Sequence, residues 1–396
     1  MTVQAGAHDG ARKQLFDFDW KFMLGDPAEA SSAGFDDSNW RTLDLPHDWS
    51  VEGTISPDAP MGNDGGYFPA GIAWYRKTFE VPATSKDCKM GIYFEGVYMN
   101  SEVFINGHSL GVRPYGYSSF FYDMTPYLHF GGKNVIAVRV DNSAQKNCRW
   151  YSGSGIYRHV WLTQTDKVHI AHWGTFITTP KVNDTQATVQ VKTQIENKTQ
   201  TSRRVTLRTR LSYADADRGT ETTEVEIPAG SSKEVTQHIR VDAPALWSPE
   251  TPNLYVASQT VTEGEKTLDE VSQTFGIRSI AYSAEKGFLL NGKSIKLYGG
   301  CLHHDNGPLG AAAYDRAEER KAELMKAAGF NAARTSHNPP SEAFLEACDR
   351  IGLLVIDEAF DGWRDAKNQH DYSVYFDEWW ERDVTTMVLR DRNHPS

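Results

Sequence analysis

The hydrophobic pattern changes period near residue 279, and that change limits the folds open to this chain. Upstream, apolar residues recur at every second position in short runs broken by turn residues, the period of half-buried strands. Val189, Val191 and Ile195, then Val205, Leu207 and Leu211, then Val225 and Ile227, then Val235, Ile239 and Val241 alternate with Lys, Arg, Thr, Gln and Glu, so one face of each strand is wet. Downstream, continuous apolar runs alternate with stretches at helical spacing. Leu353 to Ile356 is such a run, as expected of a parallel strand buried on both faces. At ~150 residues per domain, 396 residues suggest two or three domains.

Three regions follow. Residues 1–164 read as short strands with frequent turns, a sandwich or jelly roll. Ser101 to Ile105 and His108 to Gly111 form a hairpin, because Asn106-Gly107 supplies both positive φ angles of a type I′ turn. Tyr127 to Phe130 and Asn134 to Val140, joined by Gly131-Gly132, read as a second hairpin. Residues 165–278 hold seven or so alternating strands, which suits an immunoglobulin-like sandwich with no candidate chemistry. Residues 279–396 read as βαβαβα, a parallel sheet with right-handed crossovers, in a barrel or open. Ile295 to Gly300 is the first expected strand there, followed by a helix over Tyr314 to Ala328 that Gly329 ends. Pro340-Ser341 opens a second helix and Gly352 closes it; a third places Phe376, Trp380, Val384, Met387 and Val388 on one face.

The charge balance, 41 Lys and Arg against 52 Asp and Glu for a net of −11, argues against a nucleic-acid partner. No run of 18 apolar residues offers a membrane span, and Met1 to Arg12 carries no apolar leader core. The expected location is cytoplasmic, or periplasmic if a signal was removed. Four cysteines, with no Cys-x-x-Cys pair, make neither a disulfide scaffold nor a zinc site; Cys348 reads as a small buried hydrophobe.

Polar residues collect where each strand of the third region ends. His303, His304 and Asp305 follow the first strand; Arg334, Ser336, His337 and Asn338 close the second; Asp357, Glu358 and Asp361 follow the third. In a parallel barrel these ends share one face, where active sites sit. A ligand with many hydroxyls, each both donor and acceptor, suits this set, and Arg334 can hold a carboxylate. No metal site or phosphate loop is evident, and Ser336 lacks the Gly-x-Ser-x-Gly setting of an exposed nucleophile.

Several stretches resemble glycoside hydrolase family 2. Phe330-Asn331-Ala332-Ala333-Arg334-Thr335-Ser336-His337-Asn338-Pro339, with Cys348 to Glu358 after it, is similar to the family's first signature. Leu45-Pro46-His47-Asp48-Trp49-Ser50, Trp74-Tyr75-Arg76-Lys77 and Ser152 to Arg158 resemble its sugar-binding jelly roll. Leu246-Trp247-Ser248-Pro249 and Phe275-Gly276-Ile277-Arg278 resemble the end of its immunoglobulin-like domain. The resemblance covers nearly the whole chain in the family's order. It implies a jelly roll, an immunoglobulin-like sandwich and the first three βα units of a (β/α)8 TIM barrel.

The resemblance also implies retaining hydrolysis of β-linked oligosaccharides or galactosides, with two Glu carboxyls about 5–5.5 Å apart. His303-His304-Asp305 looks more like bacterial β-galactosidases than β-glucuronidases or β-mannosidases. A carbohydrate-binding protein without catalysis is the rival reading. Both catalytic Glu residues are expected beyond Ser396, because Arg390 to Ser396 resembles the segment before the family's fourth barrel strand; the 396-residue chain is therefore expected to be inactive. The residues expected to contact substrate are Asp48, His303, Arg334, His337 and Glu358, with Trp150 able to stack on a sugar face. No metal and no cofactor is expected, and a homo-oligomer stays open.

Overall fold

The computed structural model describes residues 12–396. The reading of residues 1–11 as free of a leader therefore concerns residues outside those described. The chain forms two antiparallel sandwiches followed by the first three βα units of a parallel barrel.

The first sandwich is a jelly roll of two sheets. One runs in the order Arg41–Leu43, Trp20–Leu24, Ile72–Val81, Gly132–Asp141, Ser101–Ile105, His108–Arg113. The other runs Lys13–Leu15, Val160–Asp166, Cys88–Phe94, Phe120–Asp123. Ile136, Val138 and Val140 point inward with Trp20, Tyr75, Ile92 and Phe94, all without measurable exposure, while Arg139 faces out to Asp26. The Asn106-Gly107 turn has both φ angles positive, as the hairpin requires. The second expected hairpin is absent. Thr125–Tyr127 is a 3-10 turn around Pro126, whose ring fixes φ and removes a ladder donor. Gly132–Asp141 pairs instead with Ile72–Val81 and Ser101–Ile105.

The second sandwich packs Val168–Val182, Gln186–Asn197 and Ser232–Asp242 against Ala216–Ile227, Arg203–Tyr213, Tyr255–Glu263 and Lys266–Phe275. Its core departs from simple alternation. Two apolar clusters are separated by a buried polar layer of Thr175, Thr193, Thr209, Gln237 and Gln259. Thr175 Oγ1 donates to Gln259 Oε1 at 2.5 Å, and Thr209 Oγ1 to Gln237 Oε1 at 2.6 Å. Threonine and glutamine were expected on the wet face; these five satisfy one another across the two sheets, which makes their burial tolerable.

A small antiparallel sheet, Ile280–Ser283, Gly287–Leu290 and Lys293–Ser294, leads into the barrel segment. Its parallel strands are Gly299–Leu302, Ala332–Thr335 and Leu354–Ile356, in sequence order. The first begins later than Ile295, because Lys293–Ser294 is still engaged in the hairpin. Asn331 fixes the entry, accepting from Tyr298 N at 2.8 Å and donating to Lys296 O at 2.9 Å. Helix α1 spans Asp315–Ala327, α2 Glu342–Ile351 and α3 Phe376–Asp391. Ser341 caps α2 by accepting from Phe344 N, Gly352 ends it at a φ of 76°, and Cys348 is fully buried. Phe376 is buried, but Trp380 and Val388 are exposed. The inner face of α3 is set by Asp383, Thr386 and Arg390 rather than by apolar spacing. Among the described residues no helix is long and apolar enough to cross a membrane.

The last seven residues tie the three bodies together. Arg390 donates to Ser119 Oγ in the jelly roll at 2.9 Å and to Pro340 O at 2.7 Å. Asn393 accepts from Ile177 N and donates to Thr175 O in the second sandwich, both at 2.9 Å. His394 and Ser396 N bind Asp349 at the end of α2, and Val355 N donates to Ser396 O.

Candidate functional site

The three parallel strands deliver their polar ends to one place. Arg334, in the second strand, donates through Nε to Glu358 Oε1, just beyond the third. His337 Nδ1 donates to Glu358 Oε2 at 3.1 Å, and Arg334 Nη2 lies 3.4 Å from the same ring nitrogen. Thr335 Oγ1 accepts from Glu358 N at 3.2 Å, which holds the third loop against the second strand. The His303 ring stands 5.6 Å from the His337 ring. Trp150, from the jelly roll, covers both, with ring centroids 5.2 Å from His303 and 5.4 Å from His337. The structure thus brings together His303, Arg334, His337, Glu358 and Trp150.

Trp150 is held by its own Nε1–H, which donates to Tyr117 OH at 3.0 Å. Tyr117 packs against His304, and His304 Nε2 donates to Ser152 O at 2.9 Å. Of the adjacent histidines, His304 is therefore a buried brace to the jelly roll, and burial pulls its pKa down to about 4. His303 lines the opening; partial burial and the neighbouring His337 push its pKa below the ordinary range. Both rings act as neutral donor–acceptors near pH 7.

Arg149 and Lys367, at the rim, were not singled out from sequence; Asp361, which they engage, was. Arg149 pairs with Asp361 at 2.7 Å and Lys367 does so at 2.8 Å, while His337 Nε2 sits 3.9 Å from the same carboxylate. Burial alone would raise Asp361, but Arg149 and Lys367 hold it below the ordinary range. The sequence signals were adjacency, Arg149 beside Trp150 and Lys367 six residues after Asp361. Glu358 and Asp361 are both engaged by cations, so they serve as hydrogen-bond acceptors. Asp357 behaves differently: burial and the nearby Asp391 charge lift it to about 8.

Asp48 stands apart from this group, contrary to expectation. It is 2% exposed. Oδ1 accepts from Ser50 N at 3.0 Å and Ser154 N at 2.9 Å. Oδ2 accepts from Tyr151 OH at 2.6 Å and from Ala311 N, across the domain boundary, at 2.8 Å. Four donors fill the four lone-pair positions of a carboxylate, which leaves none for a sugar hydroxyl. Two glycines make room for it. A Cβ on Gly153 would lie 2.6 Å from Oδ2, and one on Gly310 2.4 Å, and both residues have positive φ. Asp48 is a strut between jelly roll and barrel. Burial raises its carboxyl above the ordinary range, and the four donors oppose that rise.

Among the described residues no group of three or more His, Cys, Asp or Glu is placed to hold a metal. The arrangement can grip a polyhydroxyl ligand: Arg334 and His337 donate, Glu358 and Asp361 accept, and Trp150 offers apolar ring surface.

Two sandwiches followed by a parallel βα series with polar strand ends define a multidomain barrel architecture. Comparison with known sequences places it further. Residues 17–166 match the profile described as "Glycosyl hydrolases family 2, sugar binding domain", 168–278 that of "Glycosyl hydrolases family 2", and 283–396 that of "Glycosyl hydrolases family 2, TIM barrel domain". The chain belongs to glycosyl hydrolases family 2. It is 50% identical to "Beta-galactosidase BoGH2A" of Bacteroides ovatus, over 96% of this chain and 45% of that protein. It is 43% identical to a "Putative beta-glucuronidase" of Formosa agariphila, over 96% of this chain and 36% of that one. A solved family 2 structure from Bacteroides cellulosilyticus superposes with a TM-score of 0.96 at 48% identity, covering 98% of this chain and 51% of that one. The chain thus spans about half or less of the length of the relatives it matches.

Proposed function

We propose that this chain is the sugar-gripping portion of a retaining β-glycoside hydrolase acting on β-galactosides. The observation that carries the proposal is the Arg334–Glu358–His337 cluster at the C-terminal strand ends, covered by Trp150 and His303. Its role is to orient the glycone. Glu358 accepts from sugar hydroxyls while Arg334 and His337 fix its carboxylate and donate in turn. The acid/base and nucleophile Glu are supplied by residues beyond Ser396 in a longer protein, consistent with relatives that exceed this chain's length. One Glu protonates the leaving oxygen and later activates water; the other forms the glycosyl–enzyme.

The test uses chromogenic β-galactoside and β-glucuronide with two proteins, the 396-residue chain and the longer gene product. The expected result is no turnover by the chain alone and galactoside hydrolysis with retention by the longer protein. Turnover by the chain alone would refute the division of labour. A longer protein that prefers the glucuronide would favour the second reading, β-glucuronidase. The Formosa agariphila relative supports that reading, and Arg149 gives it a cation for a sugar carboxylate.

A further inference from the structure

A roomy cavity lies away from the barrel. It measures about 280 Å³ and opens between the outer face of the jelly-roll sheet containing Cys88–Phe94 and the first strands of the second sandwich. That is close to the lower end of ligand pockets, about 300 Å³, and far above the share of a single water, about 30 Å³. It shares no lining residue with the His303–Arg334–His337–Glu358 cluster.

Its walls alternate donors and acceptors. Lys89 pairs with Asp123 on the jelly-roll side. Lys198 pairs with Glu196 at 2.9 Å on the other, with His169 Nε2 at 3.6 Å from the same carboxylate. Each ammonium keeps donors, and each carboxylate lone pairs, beyond those its ion pair uses. Phe121 supplies the apolar surface. Its ring crosses Gly91, where a Cβ would lie 2.2 Å from Phe121 Cζ, and it stacks on His172 with centroids 4.8 Å apart. His172 Nε2 and His169 Nδ1, on two cavity-lining rings, are buried with no hydrogen-bond partner among the described residues. Unpaired buried polar atoms call for a partner. Burial pulls His172 down to about 3, so the ring is neutral and each nitrogen can serve a hydroxyl.

We infer that this interdomain cleft is a second binding site for a neutral saccharide unit. A hexose hydroxyl is both donor and acceptor, as the alternating wall requires. An anion would meet Asp123 and Glu196, and Arg12, the remaining cation of the lining, is engaged by Asp269 and by Ile170 O. The cleft lets one saccharide touch both sandwiches, so occupancy clamps the first two domains together.

Lactose and methyl β-glucoside serve as probes in saturation-transfer NMR on the 396-residue chain. Lys198→Ala combined with Asp123→Ala removes one exposed member of each pair; exposed ion pairs contribute little to stability, so the fold is retained, which circular dichroism checks. The expected result is binding of at least one probe that persists in Trp150→Ala, where the barrel mouth is disabled, and that falls at least tenfold when the double variant is added to that background. Silence of both probes at tens of millimolar would overturn the inference. So would binding that Trp150→Ala abolishes while the double variant keeps it, or displacement of the probe by inorganic phosphate. Because Trp150 reports on the barrel mouth, failure here and failure of the proposed function are read separately.

Discussion

Replacing Asp48 with alanine separates a strut from a sugar ligand. The change orphans three backbone N–H groups, Ser50, Ser154 and Ala311, and the Tyr151 hydroxyl. A buried donor left without a partner costs about 1–3 kcal/mol, so the three amides sum to about 3–9 kcal/mol, and water entering the vacated volume holds the loss near the lower end, about 4 kcal/mol. Asp48→Asn keeps Oδ1 for Ser50 and Ser154 but turns an amide NH2 toward Ala311 N–H, and should cost about half as much. A three-domain chain does not unfold in one step, so the readout is local: native-state hydrogen exchange at the Ala311 amide. A local loss of about 2 kcal/mol accelerates its exchange about 30-fold, at 1.4 kcal/mol per tenfold. Calorimetry with methyl β-galactoside is run on the same samples. Unchanged exchange at Ala311 together with a large drop in galactoside affinity would refute the strut and return Asp48 to the sugar.

Asn393→Ala should lower local stability by about 2–4 kcal/mol, because it orphans Ile177 N and Thr175 O together, and Asn393→Asp should recover the Ile177 half; native-state hydrogen exchange at the Ile177 amide tests this. His159 links Asp17, at 2.5 Å, to Asp315 on α1, at 3.0 Å. Burial works against its proton, but the two carboxylates win and lift it to about 10. Its contribution is therefore complete below the unfolded value, about pH 6.5, and is lost as pH climbs through 10. Melts of His159→Gln should show a flatter pH dependence than the parent across that window, and identical slopes would sink the assignment. In the second sandwich, Gln237→Leu alone should cost about 1–3 kcal/mol by stranding Thr209, while Gln237→Leu with Thr209→Val should cost less than the single change, as a double-mutant cycle would register.

Local order was readable wherever a residue's fate is decided by near neighbours. Ser341 and Gly352 bracket α2 because a cap and a left-handed terminus are set within a few residues. The clustering of His303, Arg334, His337 and Glu358 was readable because strand ends of a parallel sheet share a face. Asp48 was misplaced because its decisive partner, Ala311 N, lies 263 residues away. Gln237 and Gln259 look like surface residues until the facing sheet supplies Thr209 and Thr175. Trp380 and Val388 keep the helical period of Phe376 yet face solvent, because Arg390 and Asp383 fix the rotation of α3 through polar contacts that apolar spacing cannot register.

The seven residues from Arg390 to Ser396 carry a consequence for biosynthesis. Arg390 meets Ser119 across 271 positions of chain, and Asn393 meets Thr175 across 218. Ribosomes deliver the earlier partner first, and domains fold as units from the N-terminus. By the time Arg390 emerges, Ser119 and the Thr175–Ile177 backbone already sit on rigid surfaces. The two sandwiches are then the mould in which the first barrel strands are cast, and a lesion in either sandwich would surface as a misassembled barrel.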